Sequence, residues 1–558
     1  MSEDEDDERG TVTAKAVLGV VGSGARTGSL EHLLTHLPRQ ESAAIVVVLQ
    51  HREALDDERF TRALAEAGRA LTAIENHAPL ESGKVYLAPA QVIVTVEGGR
   101  FHTRPTTEAP GRRGTIDSFL VSLAQDEEGK TLLVALAGTD GDGTLGLKAV
   151  KEAGGLTFAE QTEEAEAGDL AMSSSPAALA DAVLPVHELT ERVSSLVGRI
   201  VGRTGTPSAG PEADASVALA SIATILRNRT GHDFHGYKPG TFLRRVQRRM
   251  QVVEIERIQD YVEILRAAPD ETQNLFNDLL IGVTQFFRDA REFELLEREV
   301  IPKLFEGKTR GDQLRVWVVG CSTGEEAYSI AILLREHMAR LHEMPEIQIF
   351  ASDLDGRALA AARAGRYADT IADTMTPERI ARWFVKEGNT YSVVKELREM
   401  CIFSQHSLVK DAPFSRLDLV TCRNVLIYLG PDLQNRVIPL FHFALKPDGI
   451  LFLGNSENVS RHSNLFAPVE ARSRIFRRLE TGTRALPDFP LTPVDRRPVK
   501  AAATVERSRP VAASLTRQAE RLVERYSPPT SSWTRLTMCC TSREAPGVTS
   551  TRPAAPRP

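Results

Sequence analysis

At 558 residues the chain is too long for one core, and its length suggests three or four structural units. A composition of 42% apolar and 26% charged residues is ordinary for a globular protein, and a net charge of −7 disfavours bulk nucleic-acid binding. The longest apolar runs, such as Ile45 to Leu49, are too short to cross a bilayer. The acidic start, Glu3-Asp-Glu-Asp-Asp-Glu8, is the opposite of a basic signal-peptide start. Cys321, Cys401, Cys422, Cys539 and Cys540 form no C-x-x-C pair. They suit reduced thiols in a cytoplasmic protein, with no zinc site and no disulfide framework.

Residues 1–14 read as a disordered acidic leader. Between residues 15 and 201, short apolar strands (Ala16–Val21, Ile45–Leu49, Leu132–Ala137) alternate with helical stretches, which predicts an α/β domain with a parallel sheet. Residues 202–216 are rich in Gly, Pro, Ser and Ala and read as a linker. A helical subdomain is expected over 217–305, with Phe242, Val246 and Met250 at helical spacing. A second alternating region covers 306–480. Its candidate strands are Leu314–Val319, Ile347–Ala351, Met400–Ser404, Leu417–Cys422 and Ile450–Leu453, with Arg474–Leu479 as a last one. The fold class is therefore α/β: two doubly wound parallel-sheet domains, the second preceded by a small all-helical subdomain. Residues 481–558 shift to Pro, Arg, Ser, Thr and Ala and read as a disordered tail with one short helix at Leu515–Tyr526. From Ser532 the character changes abruptly, and a one-base shift of a plausible GC-rich reading restores an ordinary strand–turn pattern. A frameshifted tail of a longer protein is expected.

Three stretches of the second α/β region carry chemistry. Val316-Trp-Val-Val-Gly-Cys-Ser-Thr-Gly-Glu-Glu326 is a buried strand, a tight loop and a helix start, where a nucleotide-like ligand sits in a doubly wound sheet. Gly320 and Gly324 let the backbone approach that ligand. The G-x-x-x-G spacing, with no Walker lysine, disfavours a dinucleotide or a triphosphate. Asp353, ending the next strand, can accept both ribose hydroxyls, whereas Asp355 reads as a helix cap. Asp418-Leu-Val-Thr-Cys-Arg-Asn-Val-Leu-Ile-Tyr428 lacks the Asn/Asp-Pro-Pro-Tyr motif of amino-group methyltransferases. A carboxylate acceptor needs no general base, and Arg423, Arg288 and Tyr428 suit holding one.

These stretches, with Tyr237-Lys-Pro-Gly-Thr-Phe-Leu-Arg-Arg-Val-Gln-Arg-Arg-Met250, Val283-Thr-Gln-Phe-Phe-Arg-Asp289 and Phe403-Ser-Gln-His-Ser-Leu408, resemble the chemotaxis receptor methyltransferases (CheR-type). The resemblance implies a Rossmann-like domain that binds S-adenosyl-L-methionine and methylates glutamates of chemoreceptors. It implies that Thr284, Arg288, Glu326, Asp353, Ser407, Leu408, Arg423 and Asn424 surround the cofactor, with Arg288 and Tyr428 also near the acceptor. Gly282 and Ser407 stand where the family usually has Asn, each at the possible loss of a cofactor hydrogen bond. Arg244, Arg245, Arg248 and Arg249 form one basic helical face, which the family uses to dock receptors.

Residues 16 to about 190 resemble the chemotaxis methylesterases (CheB-type), through Leu49-Gln-His51, Ala137-Gly-Thr-Asp140-Gly-Asp-Gly-Thr-Leu-Gly-Leu-Lys148 and Gly154-Gly-Leu-Thr-Phe-Ala-Glu-Gln161. The resemblance makes His51 the general base and Asp140 its orienting acid. The nucleophile turn, Val21-Gly-Ser-Gly-Ala-Arg-Thr-Gly-Ser29, puts Gly24 at the nucleophile position and leaves Ser23 or Ser29 as substitutes. Ala171-Met-Ser-Ser-Ser-Pro176 also departs from the family's Gly-Met-Pro. A weak or inactive esterase is expected. A bifunctional enzyme and a catalytically impaired receptor-binding scaffold are the alternatives.

Overall fold

The computed structural model describes residues 14–481, apart from 15, 39–41, 107–113, 127–129, 140–141, 162–178, 203–211, 281, 343, 369–370, 373, 389 and 471–472. The acidic leader up to residue 13, Asp140, Ala171–Pro176, the helix expected at Leu515–Tyr526 and the suspected frame change lie outside the described residues.

The first unit is a seven-stranded parallel sheet. Its spatial order is Leu71–Ala73, Val85–Leu87, Ala43–Gln50, Ala16–Ser23, Thr131–Ala135, Leu156–Glu160 and Ala182–Leu184. All eight residues of Ala16–Ser23 are buried, as a strand covered on both faces requires. Alternation of side chains splits the strand between two cores. Leu18 and Val20 pack with Leu30, Leu33, Phe60 and Leu189 on one side; Val17 and Val21 pack with Phe119, Leu120 and Val150 on the other.

The helical subdomain consists of Glu212–Thr230, Pro239–Val252, Ile258–Ala267 and Pro269–Leu279. Its first helix starts inside the stretch read as linker, and Val186–Gly202 is helical up to its edge. Proline at the start of Pro239–Val252 suits a first turn whose amide has no helical partner. Phe242, Val246 and Met250 pack with Phe234, Tyr261 and Leu275, as their spacing predicts. The segment from Phe286 to Phe305 belongs instead to the core of the next sheet, so the helical subdomain closes near residue 280, not 305.

That next sheet runs Cys401–Gln405, Glu346–Asp353, Gln313–Val319, Leu417–Cys422, Leu445–Leu453, Ile475–Arg478 and Phe466–Pro468. Its first five strands pair in parallel and the last two antiparallel. The order reverses beside Gln313–Val319, which opens a crevice at the carboxyl ends of the strands. A three-stranded antiparallel sheet, Arg366–Ala368, Thr390–Val393 and Phe384–Glu387, is an addition the sequence pattern did not disclose.

The basic helix face is a correction. Arg245, Arg248 and Arg249 are buried, and only Arg244 of the four is exposed. Arg249 makes a two-pronged ion pair with Glu271 inside the helical subdomain, at 2.9 and 2.6 Å, and the Tyr261 hydroxyl donates to the same carboxylate at 2.7 Å. Arg248 pairs with Asp278 of its own subdomain and Asp181 of the first unit, and donates from Nε to the Gly155 carbonyl at 2.9 Å. Lys151 joins Asp181 at 2.9 Å. Burial alone would raise Asp181, but Arg248 and Lys151 outweigh it and hold its carboxyl at about 2. A buried arginine is tolerated only when its charge and donors find such partners. This face therefore holds two parts of the chain together and is not free to dock a receptor.

Candidate active sites

The crevice of the second sheet is built from strand ends. Gly320 follows Gln313–Val319 with φ +68°, and a Cβ there would lie 2.4 Å from a Val425 methyl. Only glycine meets both conditions. Gly324, with φ +98°, caps the helix Glu325–Met338 and is pressed against Ala362. Asp353 ends its strand with each carboxylate oxygen accepting one backbone amide, from Ser322 at 2.8 Å and from Asp355 at 2.9 Å. Each oxygen keeps acceptor capacity for a ligand hydroxyl. Burial pushes the Asp353 carboxyl upward against the pull of those amides. Asp355 caps the helix Gly356–Ala364 through the amides of Arg357 and Ala358, as expected of it.

Thr284, Arg288, Glu326, Asp353, Ser407, Leu408, Arg423 and Asn424 all line one cavity here, together with Tyr428. Arg288 donates to the Val283 carbonyl at 2.6 Å. Arg423 is fully buried: it pairs with Asp289 at 2.6 Å and Glu326 at 3.4 Å, and lies over the rings of Phe293 and Phe452. Its guanidinium thus braces the wall. Thr421 donates to the other Glu326 oxygen at 2.6 Å.

Several contributors were not singled out by sequence. Glu457 accepts the backbone amides of Asn424, Val425, Leu426 and Gly454 at 2.7–3.1 Å. It fixes the loop in which Asn424 sits at φ +59°. Burial pushes the Glu457 carboxyl up, and those amides oppose the shift. Tyr237, Ser322 and His406 also line the cavity. Tyr237 is pushed up to about 12 by burial and by the charge of Asp353. The Tyr237 and Ser322 positions lay within recognised motifs, but Glu457 had no motif to mark it.

In the first unit, Ser23 and Gln50 are partners at the ends of adjacent strands, and His51 follows with φ +51°. Ser23 is buried, and its Oγ accepts the Ala25 amide at 3.3 Å. Among the described residues no hydrogen bond joins Ser23 to His51. Ser29 is turned away and donates to Glu160 at 2.5 Å. At Gly24 an added Cβ would meet the His51 carbonyl oxygen at 2.2 Å. The backbone of the general-base candidate thus fills the space a side chain at position 24 would need.

A doubly wound sheet with an acid-tipped second strand and a glycine loop at its switch point has the build of a nucleoside-binding transferase, and it is joined to a second sheet of esterase type. Residues 218–280 match the all-alpha domain of CheR methyltransferase, 282–475 its SAM binding domain, and 18–193 the CheB methylesterase. The chain is 31% identical over 244 residues to chemotaxis protein methyltransferase 2 of Vibrio cholerae, covering 84% of that protein and 43% of this one. It is 35% identical over 201 residues to chemotaxis protein methyltransferase 1 of Pseudomonas aeruginosa, covering 73% of that protein and 35% of this one. A 104.1 kDa protein from the hypE 3' region of Rhodobacter capsulatus is 34% identical over 464 residues, 78% of this chain. The chain spans about half, 48%, of that relative's length. The chain belongs to the CheR methyltransferase family, with a CheB methylesterase domain fused ahead of it. No helix among the described residues is long and apolar enough to cross a membrane.

Proposed function

We propose that the chain transfers the methyl group of S-adenosylmethionine to glutamate side chains on the cytoplasmic domains of chemoreceptor-like signalling proteins, and that its esterase-type domain hydrolyses such esters weakly or not at all. The observation that carries the reading is the meeting of Thr284, Arg288, Glu326, Asp353, Ser407, Leu408, Arg423 and Asn424 around one cavity. The cavity suits a nucleoside-bearing cofactor. Asp353 retains acceptor capacity for ribose hydroxyls, and the buried Nδ1 of His406 in the cavity wall has no partner among the described residues. When bound, S-adenosylmethionine supplies a sulfonium methyl group to an attacking oxygen.

The chain's own residues have an orienting task. A glutamate is ionised at neutral pH and needs no base. What accelerates transfer is alignment of its oxygen, a gain of several kcal/mol when the attack geometry is fixed. Arg288 and the Tyr428 hydroxyl supply donors for that carboxylate, while Arg423 and Glu457 hold the loop in place. In the first unit, the blocked side-chain space at Gly24 and the buried Ser23 support a weak esterase.

The test is transfer of radiolabelled methyl to a purified receptor cytoplasmic domain, followed by mild base. Label that appears and leaves as methanol is the expected result. Label that resists base would exclude a carboxyl ester, and failure to bind S-adenosylhomocysteine by calorimetry would remove the transferase reading.

A further inference from the structure

Among the described residues, the cofactor-cavity wall contains one that does not come from the transferase. Glu152 is the last residue of the helix Thr144–Glu152 in the esterase-type unit, yet it lines the same cavity as Arg288, Asp353 and Asn424. The Tyr428 hydroxyl donates to its Oε1 at 2.6 Å. Burial first, then the adjacent Glu152 charge, pushes the Tyr428 hydroxyl's ionisation well up, while Arg245 and Arg288 pull the other way. A carboxylate among a tyrosine hydroxyl and two guanidinium groups is the environment that an acceptor glutamate calls for.

The helix end is also held there by dedicated contacts. Arg245 donates to the carbonyl of Lys151, the residue before Glu152, at 2.5 Å. The Lys151 ammonium is fixed by Asp181, and Asp181 by Arg248. The basic face expected to dock receptors thus docks the chain's own glutamate-bearing helix end.

We propose that Glu152 is an internal substrate mimic, occupying the acceptor-carboxylate subsite so that the esterase-type domain competes with receptor glutamates for the transferase. The proposal rests on the glutamate-methyltransferase reading above. It makes the two domains a regulated pair: an incoming acceptor must displace Glu152, and anything that lifts the helix end opens the transferase.

The test compares the full-length chain with Glu152→Ala and Glu152→Gln, using the receptor cytoplasmic domain as acceptor and S-adenosylhomocysteine calorimetry as a control of site integrity. A mimic seated nine-tenths of the time raises the apparent acceptor KM roughly tenfold. Glu152→Ala is therefore expected to lower the acceptor KM by about that factor, because the competitor is removed. Glu152→Gln, which keeps a hydrogen-bond acceptor but loses the charge, is expected to fall between. Methyl label recovered on Glu152 of the wild-type chain would equally support occupancy. An unchanged KM in a chain that methylates the receptor would overturn the proposal. If neither chain methylates the receptor, the acceptor assignment fails separately, and carbodiimide coupling of glycinamide decides occupancy. Glu152 coupling more slowly than the exposed Glu66 keeps the mimic, whereas coupling at the same rate overturns it.

Discussion

Both sheets end their first strand in a glycine-containing turn, and the two turns serve opposite ends. In the transferase, Gly320 makes room for Val425, the neighbour of Asn424, so the absent side chain lets the loop close over the cavity. In the esterase-type unit, Gly24, at the position to which the resemblance assigns the nucleophile, makes room for the carbonyl of His51. The same residue type is required in each case by a close approach. The double core around Ala16–Ser23 is intact, and Glu152 at the end of the helix Thr144–Glu152 lines the cavity of the neighbouring unit.

Breaking the contact between the units should have the largest effect. Arg248 neutralises two buried carboxylates, Asp181 and Asp278. Arg248→Met removes the ion pair to Asp278 and leaves Asp181 with Lys151 alone as its cationic partner, and loss of one partner of a buried pair costs about 3–5 kcal/mol. Chemical denaturation of the full chain should show that loss. Acid should weaken the same contact from the other side. Asp181 is depressed to about 2, below its unfolded value of about 3.9, so its contribution is fully present above pH ~4 and disappears as pH falls through ~2. A stability–pH curve that is flat below pH 4 would remove Asp181 from the interface energetics.

The transferase half is tested at Asp353. Asp353→Ala removes an acceptor at the ribose position and the anchor of the Ser322 amide. A hydrogen bond to a charged group is worth about 1.5–3 kcal/mol, so S-adenosylhomocysteine should bind roughly 12- to 150-fold more weakly. Calorimetry reads this directly, and affinity equal to wild type would dismiss Asp353 as a ligand. The matching variant in the esterase half is Gly24→Ser. A Cβ 2.2 Å from a carbonyl oxygen forces the loop or the His51 backbone to move. The expected outcome is a loss of stability of about 1–3 kcal/mol and no gain in methanol release from methylated receptor. Efficient hydrolysis by this variant would show that the loop adapts and that only the hydroxyl was missing.

The comparison also explains what could be read from sequence. Strands such as Leu417–Cys422 were legible because a strand buried on both faces is a short apolar run bounded by turns. Asp353 was legible from its place at a strand end, whereas Thr284, Glu326, Ser407, Leu408 and Asn424 were legible only through the motifs of the family resemblance. The arginines were misread for a different reason. The helix period predicts that Arg245 and Arg249 share a face, but not whether water or another domain covers it. Their partners, Lys151 and Glu271, stand on either side of them in the chain. Glu152 and Glu457 were invisible for the same cause: each acts through contacts that only folding brings together, 276 and about 30 residues apart in sequence.

The smallest predicted effect would sharpen the comparison by improving the transferase. Gly282 lines the cofactor cavity where the resemblance expects Asn, and an added Cβ there would have only the Ser322 Oγ near it, at 3.8 Å. Its backbone is not in the left-handed region, so a side chain carries no conformational penalty there. Gly282→Asn should therefore be accommodated and add one hydrogen bond, about 0.5–1.5 kcal/mol, or roughly 2- to 12-fold in S-adenosylhomocysteine affinity. The contrast with Gly24 is the point of the experiment. One glycine stands in open space and can be restored, whereas the other is held by a carbonyl and cannot. Calorimetry on Gly282→Asn beside the stability of Gly24→Ser would show whether the open space at Gly282 and the crowding at Gly24 have the opposite consequences that their surroundings predict.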